Sequence, residues 1–229
     1  MKIALIGQPN AGKSTIFNSV AGYKSVTSNL PGTTVKYTES RVRLNGHIYD
    51  LVDFPGTYSL SSANEAEAEV SKYLLTEKFD LIINVIDASQ LSRSLPLTLE
   101  LLELKIPILL ALNMSDEATR KGISIDSEKL AQILGISVQR TVASKNLGIR
   151  DLFILAKEVI EKKPESESAV IHCQRDVEEV ILEMETFIKD KFANVISHPS
   201  RFIAIKLLED DEYYRSLLIH QNGAVLSSK

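Results

Sequence analysis

The chain has 229 residues, 44% of them hydrophobic, with a formal net charge of −4 and a pI near 5.7. That length suits one large or two modest domains. The acidic balance lacks the electrostatic footprint of a protein whose main ligand is nucleic acid, although a local basic patch is compatible with it. A lone cysteine, Cys173, cannot close an internal disulfide, which fits a reducing cytosolic compartment.

Met1 to Gly7 runs straight into a strand and a glycine loop with no basic n-region or cleavage site, so no targeting peptide is expected. The most apolar window, Leu101 to Met114, is broken by Glu103, Lys105 and Pro107. It falls short of the roughly 20 apolar residues a spanning helix needs. The chain alone is not expected to cross a membrane.

Lys2–Ile6 reads as the first strand and Lys13–Ala21 as the first helix. Between them Gly7-Gln8-Pro9-Asn10-Ala11-Gly12-Lys13-Ser14 completes the G-x-x-x-x-G-K-[ST] pattern. Its glycines let backbone amides turn around phosphates, and the helix N-terminus adds a favourable dipole. Lys13 can reach the β and γ phosphates, and Ser14 can offer an oxygen to Mg²⁺. Gly7, Asn10, Ala11, Gly12, Lys13, Ser14 and Thr15 are the candidate phosphate-binding residues. Strands over Lys36–Leu44 and His47–Asp53 flank Asn45-Gly46, a two-residue hairpin turn, and should pair antiparallel.

The second of those strands ends in Asp53-Phe54-Pro55-Gly56-Thr57. Asp53 is placed to hold a magnesium ion's water shell, and the Gly56 amide can meet a γ-phosphate. A Ras-type enzyme has a glutamine directly after this glycine, to orient the attacking water; here Thr57 stands there, too short to substitute for it. Asp53 to Ala63 is the candidate switch II.

A helix over Asn64–Thr76, a strand over Leu81–Asp87 and a helix over Arg93–Glu103 follow. The strand Ile108–Asn113 then leads into Asn113-Met114-Ser115-Asp116, at the end of a parallel strand where a ligand crevice belongs. Asp116 can accept from guanine N1–H and the N2 amino group. Adenine offers neither donor and would leave the carboxylate unpaired. Met114 replaces the lysine of the usual N-K-x-D and can still cover the base, so guanine specificity should survive with weaker affinity.

Beyond a helix over Ser127–Leu134 and a strand over Ser137–Thr141, Ala143-Ser144-Lys145 resembles the S-A-K loop whose backbone amide reads guanine O6. Ser144 is the candidate there. The helix Ile149–Lys162 closes an α/β sheet wound on both faces, parallel apart from the hairpin strand, in the manner of a P-loop GTPase.

The pattern changes after Lys162. The polar stretch to Ala169 reads as a linker, which sets a GTP-binding domain over 1–163 and a small all-α domain over 164–229. In the latter, Val177, Val180, Ile181, Met184, Phe187, Ile188 and Phe192 recur at helical spacing. A second helix follows Ser197-His198-Pro199 and carries Phe202, Ile203, Ile205, Leu207 and Leu208. Both stripes are expected to face a core, with the acids solvated. Residues 164–229 hold twelve acidic and seven basic side chains, which leaves the preceding domain near neutral. The four histidines are scattered rather than spaced as a metal site.

These motifs, together with "SNLPGTTV", "VDFPGTYSLS" and "HPSRFIAIKLLEDDE", resemble the translation-factor-related class of bacterial GTPases. More closely, they resemble the cytosolic G domain and helical domain of the FeoB ferrous iron transporter family. The resemblance implies a GTP- and GDP-binding module on the cytoplasmic face of the membrane, with Mg²⁺ as cofactor. The module would be soluble by itself, joined to a membrane permease domain of the same polypeptide, and its helical domain would be cut short here. The resemblance leaves a small cytosolic partner protein and self-association open, and implies no nucleic acid.

Within switch I, Gly32, Thr33 and Thr34 replace the family's glycine–valine–threonine. Thr34 aligns with the threonine that closes over Mg²⁺ and γ-phosphate, so Ser14, Thr34 and (through water) Asp53 form the implied Mg²⁺ set. Lys13, Thr34 and Gly56 are the implied catalytic residues, and Asn113, Met114, Asp116, Ala143, Ser144 and Lys145 the guanine set. Asn10 stands where related GTPases hold K⁺ in place of an arginine finger, which would answer the missing glutamine with slow intrinsic turnover. Two alternatives stay open: a soluble GTPase of ribosome or tRNA maturation, and a nucleotide-gated switch with negligible hydrolysis. A metabolic kinase fits less well.

Overall fold

The computed structural model describes residues 1–21, 25–44, 46–61, 64–162, 172–192 and 198–227, with backbone alone for Glu65 and for 220–227. Asn45 of the hairpin turn, the last two residues of switch II, most of the linker, the 163/164 boundary, Ser197 and the His220 side chain lie outside that description.

Seven strands form one sheet: β1 (Lys2–Gly7), β2 (Val26–Asn29), β3 (Lys36–Leu44), β4 (His47–Asp53), β5 (Leu81–Asp87), β6 (Ile108–Asn113) and β7 (Ser137–Arg140). Their order is β2-β3-β4-β1-β5-β6-β7. β1, β4, β5, β6 and β7 are parallel, with Ile3 level with Leu51 on one side and Leu81 on the other. β3 runs against both of its neighbours, β4 and β2. β1, β5 and β6 read as continuous apolar runs because helices cover both faces of the sheet.

The alternation inside β1 divides the core. Ile3 and Leu5 face α1 (Lys13–Val20) and α6 (Ile149–Lys162), where they meet Ile16, Phe17, Leu152 and Phe153. Ala4 and Ile6 face the other way, toward the layer of α2 (Glu65–Thr76) and α3 (Leu91–Leu102). α4 (Ser115–Arg120) and α5 (Ser127–Leu134) complete the edge near β6 and β7.

Three further helices, α7 (Arg175–Phe192), α8 (Ser200–Leu208) and α9 (Glu212–Ser227), share the second core. Phe202, Ile203 and Tyr214 are buried there, and the Tyr214 hydroxyl lies 2.8 Å from Ser71 Oγ of α2. Full burial of side chains of this size contributes about 1.5–3 kcal/mol each.

Two basic groups enter with them. Arg201 pairs with Glu178 through two hydrogen bonds, 2.6 and 3.1 Å, and with Glu103 at the C-cap of α3. Lys206, 1% exposed, lies 2.8 Å from both Glu100 of α3 and Glu209.

The apolar stripe of α7 departs from expectation. Ile181, Ile188 and Phe192 are buried, whereas Val177, Val180 and Phe187 are exposed, Phe187 at 56%. The helix touches its neighbours along one narrow line, and the residues about 100° around its axis fall outside that seam. Leu208 of α8 is likewise exposed, and Glu178 is a buried acid rather than a solvated one.

Candidate functional site

The loop after β1 is shaped by what its neighbours leave room for. A Cβ at Gly12, which adopts φ +89°, would sit 2.1 Å from Asn113 Nδ2. Only glycine takes that conformation at that separation. Asn10 also has positive φ, 66°, which asparagine tolerates better than most residues. A cavity of about 450 Å³ is lined by Asn10, Gly12, Lys13, Ser14 and Thr15 of the loop and its helix, together with Gly56 and Met114.

On the floor, Lys13 Nζ donates to Asp53 Oδ1 at 2.8 Å and Ser14 Oγ donates to Asp53 Oδ2 at 2.8 Å. Lys13 and Asp53 are both shielded from solvent in this pair. A lysine, a hydroxyl and a carboxylate thus converge at the start of α1, an arrangement suited to a polyanion carrying a small hard cation.

Gly56 is wedged against the loop: a Cβ there would approach the Pro9 backbone N and Cα to 2.7 Å. The next residue is committed elsewhere. Thr57 is buried, its N–H donates to the Gly7 carbonyl at 3.1 Å, and its hydroxyl donates to the Ser59 carbonyl at 2.7 Å. Phe54 is buried among Tyr37, Tyr73 and Phe79, which anchors the start of the segment, and Pro55 is partly covered. Glu67 of α2 accepts from Tyr58 N–H at 2.8 Å and from Ser59 Oγ at 3.1 Å, and Glu100 of α3 accepts from Leu60 N–H at 2.7 Å.

Switch I is not brought to this cavity. Thr33 Oγ1 donates to the Leu30 carbonyl at 3.2 Å and accepts from Val35 N–H at 3.1 Å, so its hydroxyl closes a local turn. Gly32 and Thr34 are apart from the cavity wall, and Thr34 is exposed. The segment instead continues the antiparallel edge formed by β2 and β3. Segments of this kind are held over a site by γ-phosphate and metal contacts.

At the other end, Asn113 acts as a brace. Its Nδ2 donates to the Ala11 carbonyl at 2.8 Å, and its Oδ1 accepts from Thr141 Oγ1 at 3.1 Å and Ala143 N–H at 3.0 Å. With those bonds made, Asn113 fixes the phosphate loop to the Ala143 turn, and its Nδ2 keeps a second N–H. Met114 adopts φ 56° and reaches the cavity. Asp116 Oδ2 accepts from Lys145 Nζ at 2.6 Å. That hydrogen bond, more than any other contact, holds the Asp116 carboxyl below the usual carboxylate range. Ser144 is exposed beside it.

Thr141, Glu67 and Glu100 are the supports that sequence reasoning passes over. Thr141 at a strand end carries a faint signal. The two glutamates carry none, because the amides they hold are distant in sequence or lie in a loop without a pattern.

Residues 1–155 match the family model described as "Ferrous iron transport protein B", and 174–226 match that of the "FeoB cytosolic helical domain". The chain belongs to the FeoB family. Among FeoB relatives, the Fe(2+) transporter FeoB of Salmonella typhimurium is 36% identical over 222 residues, 94% of this chain and 28% of that protein. The chain spans about a quarter of the length of the curated FeoB proteins it matches.

Among solved structures, a GDP-bound mutant of S. thermophilus NFeoB superposes with a TM-score of 0.86 at 33% identity, over 94% of this chain and 81% of that one. The cytosolic domain of T. maritima FeoB in its GMPPNP form gives 0.81 at 34% identity, over 94% and 84%. The sheet described above is thus the P-loop GTPase sheet of FeoB G domains. Among the described residues, no helix is long and apolar enough to cross a membrane.

Proposed function

We propose that this chain is the GTP-binding and slowly hydrolysing module of a ferrous iron transporter, working at the cytoplasmic face of the membrane in series with a permease domain of the same polypeptide. Residues 1–163 form the G domain and 164–229 the helical domain. The observation that carries the reading is the convergence of Asp53 with Lys13 and Ser14, two residues that line the cavity at the phosphate loop. The GDP and GMPPNP forms of its relatives support the choice of nucleotide.

Gly7, Asn10, Ala11, Gly12, Lys13, Ser14 and Thr15 cradle the phosphates, with the Gly56 amide at the γ position. Lys13 exchanges Asp53 for the β and γ oxygens. The oxygens of Ser14 and Asp53 are hard donors, 2.8 Å apart, and suit Mg²⁺. Ser14, and Asp53 through water, would hold the ion, which would supply charge neutralisation to the β and γ phosphates. Thr34 joins only when switch I closes. Asp116 and the Ala143–Lys145 turn read guanine, Met114 covers the base, and Asn113 positions both loops.

Hydrolysis is slow because the position after Gly56 offers no side chain to the water: the Thr57 hydroxyl is held by the Ser59 carbonyl. Asn10, exposed at the cavity wall, is the residue that would take K⁺. Calorimetric titration with Mg²⁺ present should show GTP and GDP retained and ATP not; equal binding of ATP sinks the reading. Turnover should be faster in KCl than in NaCl at equal ionic strength, and equal rates remove Asn10 as a cation ligand.

A further inference from the structure

Arg93 lies in the first turn of α3, and the described residues give it no carboxylate partner. Its guanidinium carbon sits 5.0 Å from the centroid of the Tyr58 ring, two residues past Gly56. Its own carbonyl accepts a 2.6 Å hydrogen bond from Gln8 Nε2. Gln8 is a buried residue of the phosphate loop and lines the cavity beside Pro9 and Gly56. The same residue therefore touches the phosphate loop through its backbone and switch II through its side chain.

The rest of switch II is held from other directions. Gly56 abuts Pro9, Tyr58 N–H is bonded to Glu67, and Leu60 N–H to Glu100. Tyr58 makes no side-chain hydrogen bond among the described residues, and its ring is half exposed. A cation over that ring face is the contact that fixes it, since the ring quadrupole attracts the guanidinium and the planar group can stack.

We propose that Arg93 is a positioning residue of the nucleotide site: tied to the phosphate loop by Gln8, it clamps Tyr58 and so fixes the Gly56–Tyr58 segment against that loop. The proposal rests on the GTPase reading for its catalytic consequence, but the clamp exists without nucleotide. The charge does not act on phosphate directly; it acts through the tyrosine ring. An exposed cation–π contact is worth roughly a two- to fivefold change in an equilibrium. The effect should appear in the chemical step rather than in nucleotide affinity, because Lys13 and the loop amides are untouched.

The test uses the whole chain with Arg93→Ala, Tyr58→Leu, Tyr58→Phe and the double variant Arg93→Ala/Tyr58→Leu. In the nucleotide-free protein, amide hydrogen exchange at Tyr58 and Leu60 should rise about two- to fivefold in Arg93→Ala and in Tyr58→Leu. It should stay at the parental rate in Tyr58→Phe, which keeps the ring, and go no higher in the double variant. Melting temperatures should not move. With GTP, single-turnover hydrolysis should fall by a similar factor in Arg93→Ala while the GDP dissociation constant holds.

Unchanged exchange in Arg93→Ala, additive effects in the double variant, or an effect of Tyr58→Phe equal to that of Tyr58→Leu overturns the clamp. A wild type that retains no guanine nucleotide overturns the GTPase reading instead, and the exchange data still judge the clamp.

Discussion

Replacing Lys206 by methionine removes the cation from a buried cluster without leaving a large cavity. In the intact protein Lys206 donates to Glu100 and Glu209, both at 2.8 Å. The two acids differ: Glu209 is about half exposed and keeps its water, whereas Glu100 is largely covered by α8 and the switch II segment. Burial is the main cause of a Glu100 pKa above the ordinary carboxylate value, with Lys206 opposing it. Taking Lys206 away leaves a covered carboxylate with, among the described residues, the Leu60 N–H to satisfy it.

Breaking such a pair from one side costs about 3–5 kcal/mol. For a chain of this size that corresponds to a drop of about 6–20 °C in Tm by scanning calorimetry. The sign with pH follows from the raised pKa: a folded state that favours the protonated acid is penalised more as pH rises. The deficit of Lys206→Met should therefore be small where Glu100 is protonated and grow as pH rises above the ordinary carboxylate range.

Adding Glu100→Gln should restore most of the loss, because the amide oxygen still accepts from Leu60 N–H and no charge is buried. A double variant as unstable as Lys206→Met, or a deficit flat with pH, would refute the electrostatic account and leave packing as the cause.

Asp116→Asn should exchange guanine for xanthine preference by on the order of 10–100-fold in competition binding, since the amide presents a donor where the carboxylate accepted. Gly56→Ala should slow hydrolysis by up to on the order of 100-fold in single-turnover assays with little change in GDP affinity, because its Cβ meets Pro9 backbone at 2.7 Å and forces the γ-site amide outward. Arg201 holds Glu178 down at about pKa 2, below the free value of about 4.3. That stability is present above pH 4–5 and lost as pH falls toward 2. Arg201→Met should flatten this acid limb in a Tm-against-pH series, although Glu103, raised by burial, works in the opposite sense.

Where local pattern and burial agree, the sequence was legible. Lys36–Leu44, His47–Asp53, Leu81–Asp87 and Ile108–Asn113 are the observed strands residue for residue, and the phosphate loop stands between strand and helix as its glycines require. β2 escaped because Val26-Thr27-Ser28-Asn29 is an edge strand with no apolar alternation, held by backbone pairing to β3 and by a Thr27–Thr38 hydroxyl contact. α4 is six residues long and overlaps the candidate guanine motif. α9 has no clear apolar stripe and carries Gly223 in its interior. Asn113 belongs to the candidate guanine set, and its side chain also braces Ala11, Thr141 and Ala143 through bonds that span 28 to 102 residues of sequence. Periodicity reports which face a residue occupies, and carries no information on which distant backbone group it will meet.

The same limit hid the most connected helix of the chain. Arg93, Glu100 and Glu103 recur on α3 and its C-terminal cap at spacings of seven and three, which gathers them toward one side. Each meets a different body: Tyr58, then Leu60 together with Lys206, then Arg201. A charge-assisted hydrogen bond such as Leu60 N–H to Glu100 is worth about 1.5–3 kcal/mol. Any displacement of switch II by more than an ångström must give that bond up or carry Glu100 along, and Glu100 cannot move without disturbing a lysine that is almost wholly buried. Leu60 and the buried face of α8 are therefore joined through one carboxylate, and any coupling free energy carried by it would act equally in both directions.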